Sequence, residues 1–291
     1  MLVSLVLSLA PTVFAAETSQ TINIKTVEDF LELADNCSLD TWSQGKTVVL
    51  QADLSLDDVE FSGIPTFGGV FDGNVQTISD WTMTQSMTPA GLFSILQESG
   101  VVKDLKVSGT VSMSADNSST GGIVGENYGM VIGCTFTGSV SGGDKVGGIV
   151  GINASAGQVL SCGASGAVSG DKMTGGIAGC SLGIIKGCEN NAEANTVSVD
   201  PAIPPEEIDL DFSLDVSRLT SIDASVVSSD TGGIAGYSSG TLSDCVNKAQ
   251  IGYQHIGYNV GGVVGRSCGY IRACENNGDI SGRKDVGGIA G

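Results

Sequence analysis

Gly121-Gly-Ile-Val-Gly125, Gly147-Gly-Ile-Val-Gly151, Gly175-Gly-Ile-Ala-Gly179, Gly232-Gly-Ile-Ala-Gly236, Gly261-Gly-Val-Val-Gly265 and Gly287-Gly-Ile-Ala-Gly291 are six copies of one pentapeptide in a chain of 291 residues. Five are followed by a cysteine, 13 residues after the first glycine at Cys134, Cys188, Cys245 and Cys274 and 15 after it at Cys162. Alignment on the cysteine brings out further columns. Three residues before it stand Val131, Val159, Ile185, Leu242 and Ile271; four after it Gly138, Gly166, Ala192, Ala249 and Gly278; six after it Val140, Val168, Ala194, Ile251 and Ile280. Self-similarity at a fixed period is the signature of a solenoid. The copies start 26, 28, 57, 29 and 26 residues apart, and 57 is close to two units, so the interval from 175 to 232 reads as holding one diverged or interrupted unit.

Each unit holds short apolar β-type runs separated by Gly, Asn and Ser, and none has the ten or more helix-period residues that a helical repeat needs. The expected fold class is therefore all-β, a parallel β-helix in which each strand pairs with its equivalent one coil away at ~4.8 Å. Identical positions then stack into ladders. Ile123, Ile149, Ile177, Ile234, Val263 and Ile289 are expected to point inward as an aliphatic ladder, with flanking glycines turning corners or admitting a close backbone approach. The odd interval between the apolar column and the cysteine breaks strict alternation, which predicts a bulge or corner there. With aromatics at 5% the core is expected to be thin and aliphatic. Asn190, Asn191, Asn247, Asn276 and Asn277 are expected at coil corners, where Asn tolerates left-handed geometry and stacks its amide.

Gly-Gly-Ile-Val-Gly followed by Val-x-x-Cys and Gly-x-Val resembles the GLUG motif of secreted bacterial repeat proteins, over about 121 to 291. Upstream, Phe67-Gly-Gly-Val-Phe-Asp-Gly-Asn74 with Ile78 and then Gly91-Leu-Phe93 resembles the entry coils that precede such repeats. The resemblance implies a right-handed, pectin-lyase-like β-helix on an exported protein. It brings no catalytic motif with it.

Leu2 to Phe14 is largely apolar and ends in Val13-Phe-Ala-Ala16, so residues 1–16 read as a signal peptide without a positive n-region. No later segment is long and apolar enough for a membrane span. Thirty-two acidic against 13 basic residues, a net charge of -19, disfavours nucleic acid and anionic membrane as partners. Asp144, Asp171, Asp230 and Asp285 precede their pentapeptides by two to four residues and read as solvated turns. Eight cysteines in an exported chain ordinarily indicate disulfides. Here Cys134, Cys162, Cys188, Cys245 and Cys274 share one column with parallel Cβ vectors, so they read as buried free thiols, and any disulfide is expected among Cys37, Cys180 and Cys268.

Thr26 followed by Glu28 and Asp29, with Val27, Phe30, Leu31, Leu33 and Ala34 at helical spacing, predicts a short helix over 26–36 capping the solenoid. Thr47-Val-Val-Leu50 reads as the first strand, and the domains as a cap over 17–60 followed by β-helix over 61–291. An acidic, proline-containing insertion spans about 199–227, and Ile208 to Val216 alternates like a half-buried strand. Within it Asp209, Asp211 and Asp215 are weak calcium candidates, lacking the central Gly and the Glu at position twelve of a calcium loop. The last copy ends mid-repeat at Gly291, which leads us to expect further repeats or domains beyond it.

For function, no cofactor or metal beyond that calcium possibility is indicated, and no catalytic residue stands out. His255 is the single histidine and has no Gly-x-Ser-x-Gly elbow; His-Glu-x-x-His is absent; Glu189 and Glu275 occupy equivalent places without a convergent partner. The expectation is a non-catalytic, secreted or cell-surface scaffold, adhesin-like or stalk-forming, with a glycan or host or cell-surface protein as partner. The alternative is a carbohydrate-active β-helix enzyme, a polysaccharide lyase or glycoside hydrolase.

Overall fold

The computed structural model of the chain describes residues 20–84, 87–114, 116, 119–196, 229–254 and 256–291. The signal-peptide reading of 1–16, the alternating strand at 208–216, Asp209, Asp211, Asp215 and His255 fall outside these residues. The fold is a parallel β-solenoid whose strands form four sheets running its length. Starting from the pentapeptide, sheet I contains Val124–Asn127, Val150–Asn153, Ala178–Ser181, Ala235–Ser238 and Val264–Ser267, preceded by Ile64–Phe67 and Phe93–Leu96. Sheet II has nine strands, from Thr21–Ile24 through Met130–Ile132 to Tyr270–Arg272. Sheet III carries the strands after the cysteine, such as Thr135–Ser141 and Gly163–Gly170, and sheet IV those that lead into the next pentapeptide, such as Asp144–Gly147. All strand pairs are parallel and one repeat apart: Val131 lies beside Val159, Ile185 beside Leu242, and Val140 beside Val168.

The pentapeptide is where the chain folds back from sheet IV to sheet I, and its glycines are required by backbone packing rather than by a turn conformation. A Cβ on the first glycine, for instance Gly147, would collide with the carbonyl oxygen of the fourth residue, Val150. On the second, Gly148, it would collide with the carbonyl of Gly176 one coil on. On the last, Gly179, it would strike the Lys145 and Val146 backbone of the preceding coil. Two backbone layers thus lie in direct contact. The central residue points the other way: Ile123, Ile149, Ile177, Ile234 and Val263 are fully buried, while Ile289 in the last coil is 39% exposed.

The corner expected between the apolar column and the cysteine is present and takes one residue. Gly133, Ser161, Gly187, Asp244 and Ala273, each just before its cysteine, have φ of 64°, 51°, 63°, 56° and 49°. A single left-handed residue there turns the strand and resets the alternation, so both the apolar residue and the thiol face inward.

Three expectations are corrected. Among the described residues the interval of 57 places no further coil between its two units: Thr174–Gly175 pairs directly with Thr231–Gly232, and Ala178 with Ala235. The first strand is Thr21–Ile24, ahead of the helix and paired with Thr47–Leu50. The core is largely aliphatic in the repeats, Phe136 apart. Before them Phe30, Phe61, Phe67, Phe71, Phe93 and Trp81 are buried together, with ring centroids 5.1 Å apart for Phe30 and Phe61 and 5.2 Å for Phe71 and Phe93. Composition over the whole chain hides this concentration.

The helix, Val27–Asn36, supplies Phe30 to that cluster. It starts at Thr26, whose hydroxyl accepts from the Asp29 N–H (3.2 Å), while Asp29 accepts from the Thr26 N–H (3.1 Å). Such a capping box pairs two donors that a helix start otherwise leaves open. Buried Phe30, Leu33 and Ala34 close the end of the solenoid.

Because a Cβ on Gly233 would collide with Gly262 and Asn247 whereas one on Gly163 would meet nothing closer than 3.7 Å, alanine at the two sites should behave differently. Gly233→Ala is expected to destabilise by about 1–3 kcal/mol, as overpacking does. Gly163→Ala should stay within about 0.5 kcal/mol. Urea unfolding followed by circular dichroism checks both, and equal effects would refute the packing role of the second glycine.

Candidate functional site

The interior carries three ladders besides the aliphatic one. In the first, Cys134, Cys162, Cys188 and Cys245 are buried and Cys274 is half-buried. Each sulfur lies near the carbonyl two residues before it, at 3.4 Å for Cys134 to Ile132 and 3.2 Å for Cys245 to Ser243. All but Cys274 also approach a carbonyl of the preceding coil, 3.5 Å for Cys188 to Val159. All eight cysteines are free thiols, Cys37 and Cys180 buried and Cys268 exposed. Burial pushes the Cys37 thiol up to about 11, and the hydrogen bond with Cys188 pushes Cys245 up to about 12.

The second ladder consists of Asn190, Asn247 and Asn276, two residues after their cysteines. The Asn190 amide donates to Asn247 Oδ1 (2.8 Å), and Asn247 donates in turn to Asn276 (2.6 Å). The remaining amide N–H of each donates to the carbonyl two residues on, at Ala192, Ala249 and Gly278. This corrects their placement at left-handed corners: they are strand residues facing the interior, in the column that Phe136 and Ala164 fill earlier. The second glycine of the pentapeptide makes the room, since a Cβ on Gly176, Gly233 or Gly262 would strike the amide of Asn190, Asn247 or Asn276. The third ladder was not singled out in the sequence. Asn127 and Asn153, six residues after the first glycine, are buried; Asn127 donates to Asn153 Oδ1 (2.8 Å) and Asn153 to the Ser181 hydroxyl (3.2 Å). A buried amide is tolerated because its hydrogen-bonding groups are matched.

The outward positions differ from coil to coil. On sheet I the column between two inward-facing ones runs Glu126, Ile152, Cys180, Tyr237, Arg266. Its last two members form the most chemically distinct surface. The Arg266 guanidinium lies over the Tyr237 ring (5.1 Å) and pairs with Asp230 (2.7 Å), which also accepts from the Asn259 amide (2.6 Å). Arg283 lies over Tyr258 alongside (5.7 Å). Asp230 is 1% exposed, so the reading of the four pre-pentapeptide aspartates as solvated turns fails there: it is a buried carboxylate held by a cation and an amide. The cluster escaped the sequence reading because Tyr237 and Arg266 repeat neither each other nor their predecessors.

Glu189 and Glu275 share an outward column on sheet III with Val246 between them, and sit in strands rather than at corners. The Asn191 amide and then the Lys248 ammonium, 2.6 Å away, hold the Glu189 carboxyl below the usual range. Among the described residues no group of three or more His, Cys, Asp or Glu is placed to hold a metal ion, and no helix is long and apolar enough to cross a membrane.

Residues 116–141 match the family model of the GLUG motif, and span one pentapeptide, its cysteine and the strand after it. A stretch of 89 residues, 30% of this chain, is 37% identical to halomucin of Haloquadratum walsbyi; it corresponds to 1% of halomucin's length. A crystal structure from Bacteroides ovatus, named a candidate immunoglobulin A1 protease, is similar over 92% of this chain and 84% of its own, with a TM-score of 0.63 and 15% identity. At that identity the likeness is one of fold.

Two outcomes follow from the thiols. Iodoacetamide under native conditions should label Cys268 and more slowly Cys274, leaving the other six unmodified until denaturation, with no reductant needed to reach eight adducts by intact mass. Between pH 9 and 11 an unfolded thiol loses the proton that buried Cys37 keeps. The unfolded state then binds fewer protons, so stability should fall as pH rises through this window. Cys37→Ala should flatten the fall in a series of urea midpoints.

Proposed function

We propose that the chain is a non-catalytic extracellular repeat scaffold, adhesin-like or stalk-forming, that holds outward side chains in fixed rows for a glycan or protein partner. One observation carries this reading. The residues that recur in every unit face the interior or lie where backbone meets backbone, while the sheet I column Glu126, Ile152, Cys180, Tyr237, Arg266, at least partly exposed at every member but Cys180, changes chemistry at each coil. A solenoid that recurs inside and varies outside presents an extended surface whose side chains are independent of its stability. The GLUG match and the partial likeness to halomucin support an extracellular repeat module. Tyr237 and Tyr258, each under an arginine, are the surface best suited to a sugar ring, because they offer flat apolar faces beside charged donors.

The competing reading is a carbohydrate-active enzyme working on the sheet III face. It would draw on Glu189 and Glu275, two coils or ~9.6 Å apart along the sheet. A Glu189 held ionised by Asn191 and Lys248 is poorly suited as a general acid. Polysaccharides incubated with the protein should yield no new reducing ends or unsaturated products, while a glycan array shows binding that Tyr237→Ala weakens several-fold. Turnover abolished by Glu189→Gln would overturn the scaffold assignment.

A further inference from the structure

The thiol column has a geometry that a simple apolar filler does not require. The peptide N–H after each cysteine donates to the carbonyl of the preceding cysteine: Gly163 to Cys134 (3.0 Å), Glu189 to Cys162 (3.0 Å), Val246 to Cys188 (2.9 Å) and Glu275 to Cys245 (2.9 Å). The five cysteines are therefore in register, and their side chains repeat at the coil spacing of ~4.8 Å. Each sulfur lies beside the carbonyl oxygen two residues before it, and the four buried ones beside a second from the preceding coil. The column is thus lined by sulfurs in register, each beside backbone carbonyl oxygens rather than beside a charged group.

Two metal–thiolate bonds of ~2.3 Å on opposite sides of one ion span ~4.6 Å, close to that spacing. Zinc is a poor fit, because a structural zinc site needs four ligands and no group of three is available among the described residues. Soft monovalent d10 ions accept two sulfurs in line, and thiolates select such ions. We propose that the column binds soft monovalent cations of the Cu(I) and Ag(I) class, each held between sulfurs of adjacent coils. For each ion one S–H bond breaks, one S–metal bond forms and the proton leaves to solvent; no electron is transferred, and the second sulfur donates a lone pair. The interior gains a cation and loses a proton, so its net charge is unchanged, which is what an apolar site requires. Five sulfurs leave four such gaps.

Silver(I) nitrate titration in chloride-free buffer, followed by native mass spectrometry and sulfur-to-metal absorption, tests this on the full chain. The wild type should take up to four ions, one for each gap between its five column cysteines. Cys37→Ser/Cys180→Ser/Cys268→Ser should bind as the wild type does. Two variants then remove the same number of column thiols. Cys134→Ala/Cys274→Ala leaves three adjacent and should retain binding, whereas Cys162→Ala/Cys245→Ala leaves none adjacent and should lose it. Equal binding by these two, or loss on removing the off-column cysteines, overturns the proposal. If the column variants do not fold, X-ray absorption on the silver-loaded wild type decides: two sulfur neighbours support the site, and nitrogen or oxygen neighbours overturn it.

Discussion

Backbone-to-backbone contact inside the pentapeptide is the constraint on which the rest of the solenoid depends. The strand of sheet IV and that of sheet I run past each other with no space for a Cβ between them, and the second glycine of each coil rests against that of the next. Layers this close let the central Ile or Val of the pentapeptide reach the interior, and they bring the glycine backbone against the column two residues after the cysteine. Whether that column holds Phe136, Ala164 or Asn190, the opposing glycine accommodates it. The fold thus accepts different interior chemistry from coil to coil while its backbone path stays the same.

That tolerance explains how a chain with few aromatics sustains a long core. In its first coils, aromatic rings from the helix and strands make one packed cluster, whereas in the repeats the interior is divided among thin columns of Ile, Cys and Asn. The polar columns do not weaken the structure as unpaired amides would, because each amide group is answered by the coil after it or by its own strand. Stacking of identical residues converts a buried polar group into a periodic hydrogen-bonded one.

Much of this was legible in the sequence because repetition makes a column visible without any knowledge of the fold. The pentapeptide, the cysteine and the apolar residue three before it all stand out, and the odd interval before the cysteine announced the corner that Ser161 and Ala273 turn. What was not legible lacked recurrence or depended on contacts across coils. Phe30, Phe61 and Trp81 meet only after the helix is docked. The partnership of Asp230 with Arg266 joins residues 36 apart that no periodicity links. The length of the interval from 175 to 232 suggested an additional coil, and only strand pairing distinguishes an excursion from a turn of the solenoid. Asn190, Asn247 and Asn276 were seen as a column, but a preference for left-handed corners competes with the capacity to stack, and the inward-facing register decides between them.

The asparagine ladders also have a direction. Asn127 donates to Asn153, Asn153 to Ser181, Asn190 to Asn247 and Asn247 to Asn276, so every amide hands its proton toward the C-terminus. Aligned amides add their dipoles, and the solenoid is therefore polar along its axis in its interior as well as in its chain sense. A coil laid down in the order of synthesis meets a row that already offers an N–H for its own side-chain oxygen. The two ends of a row therefore offer different groups: a coil added on the C-terminal side meets an N–H and must bring an oxygen, and one added on the N-terminal side meets an oxygen and must bring an N–H.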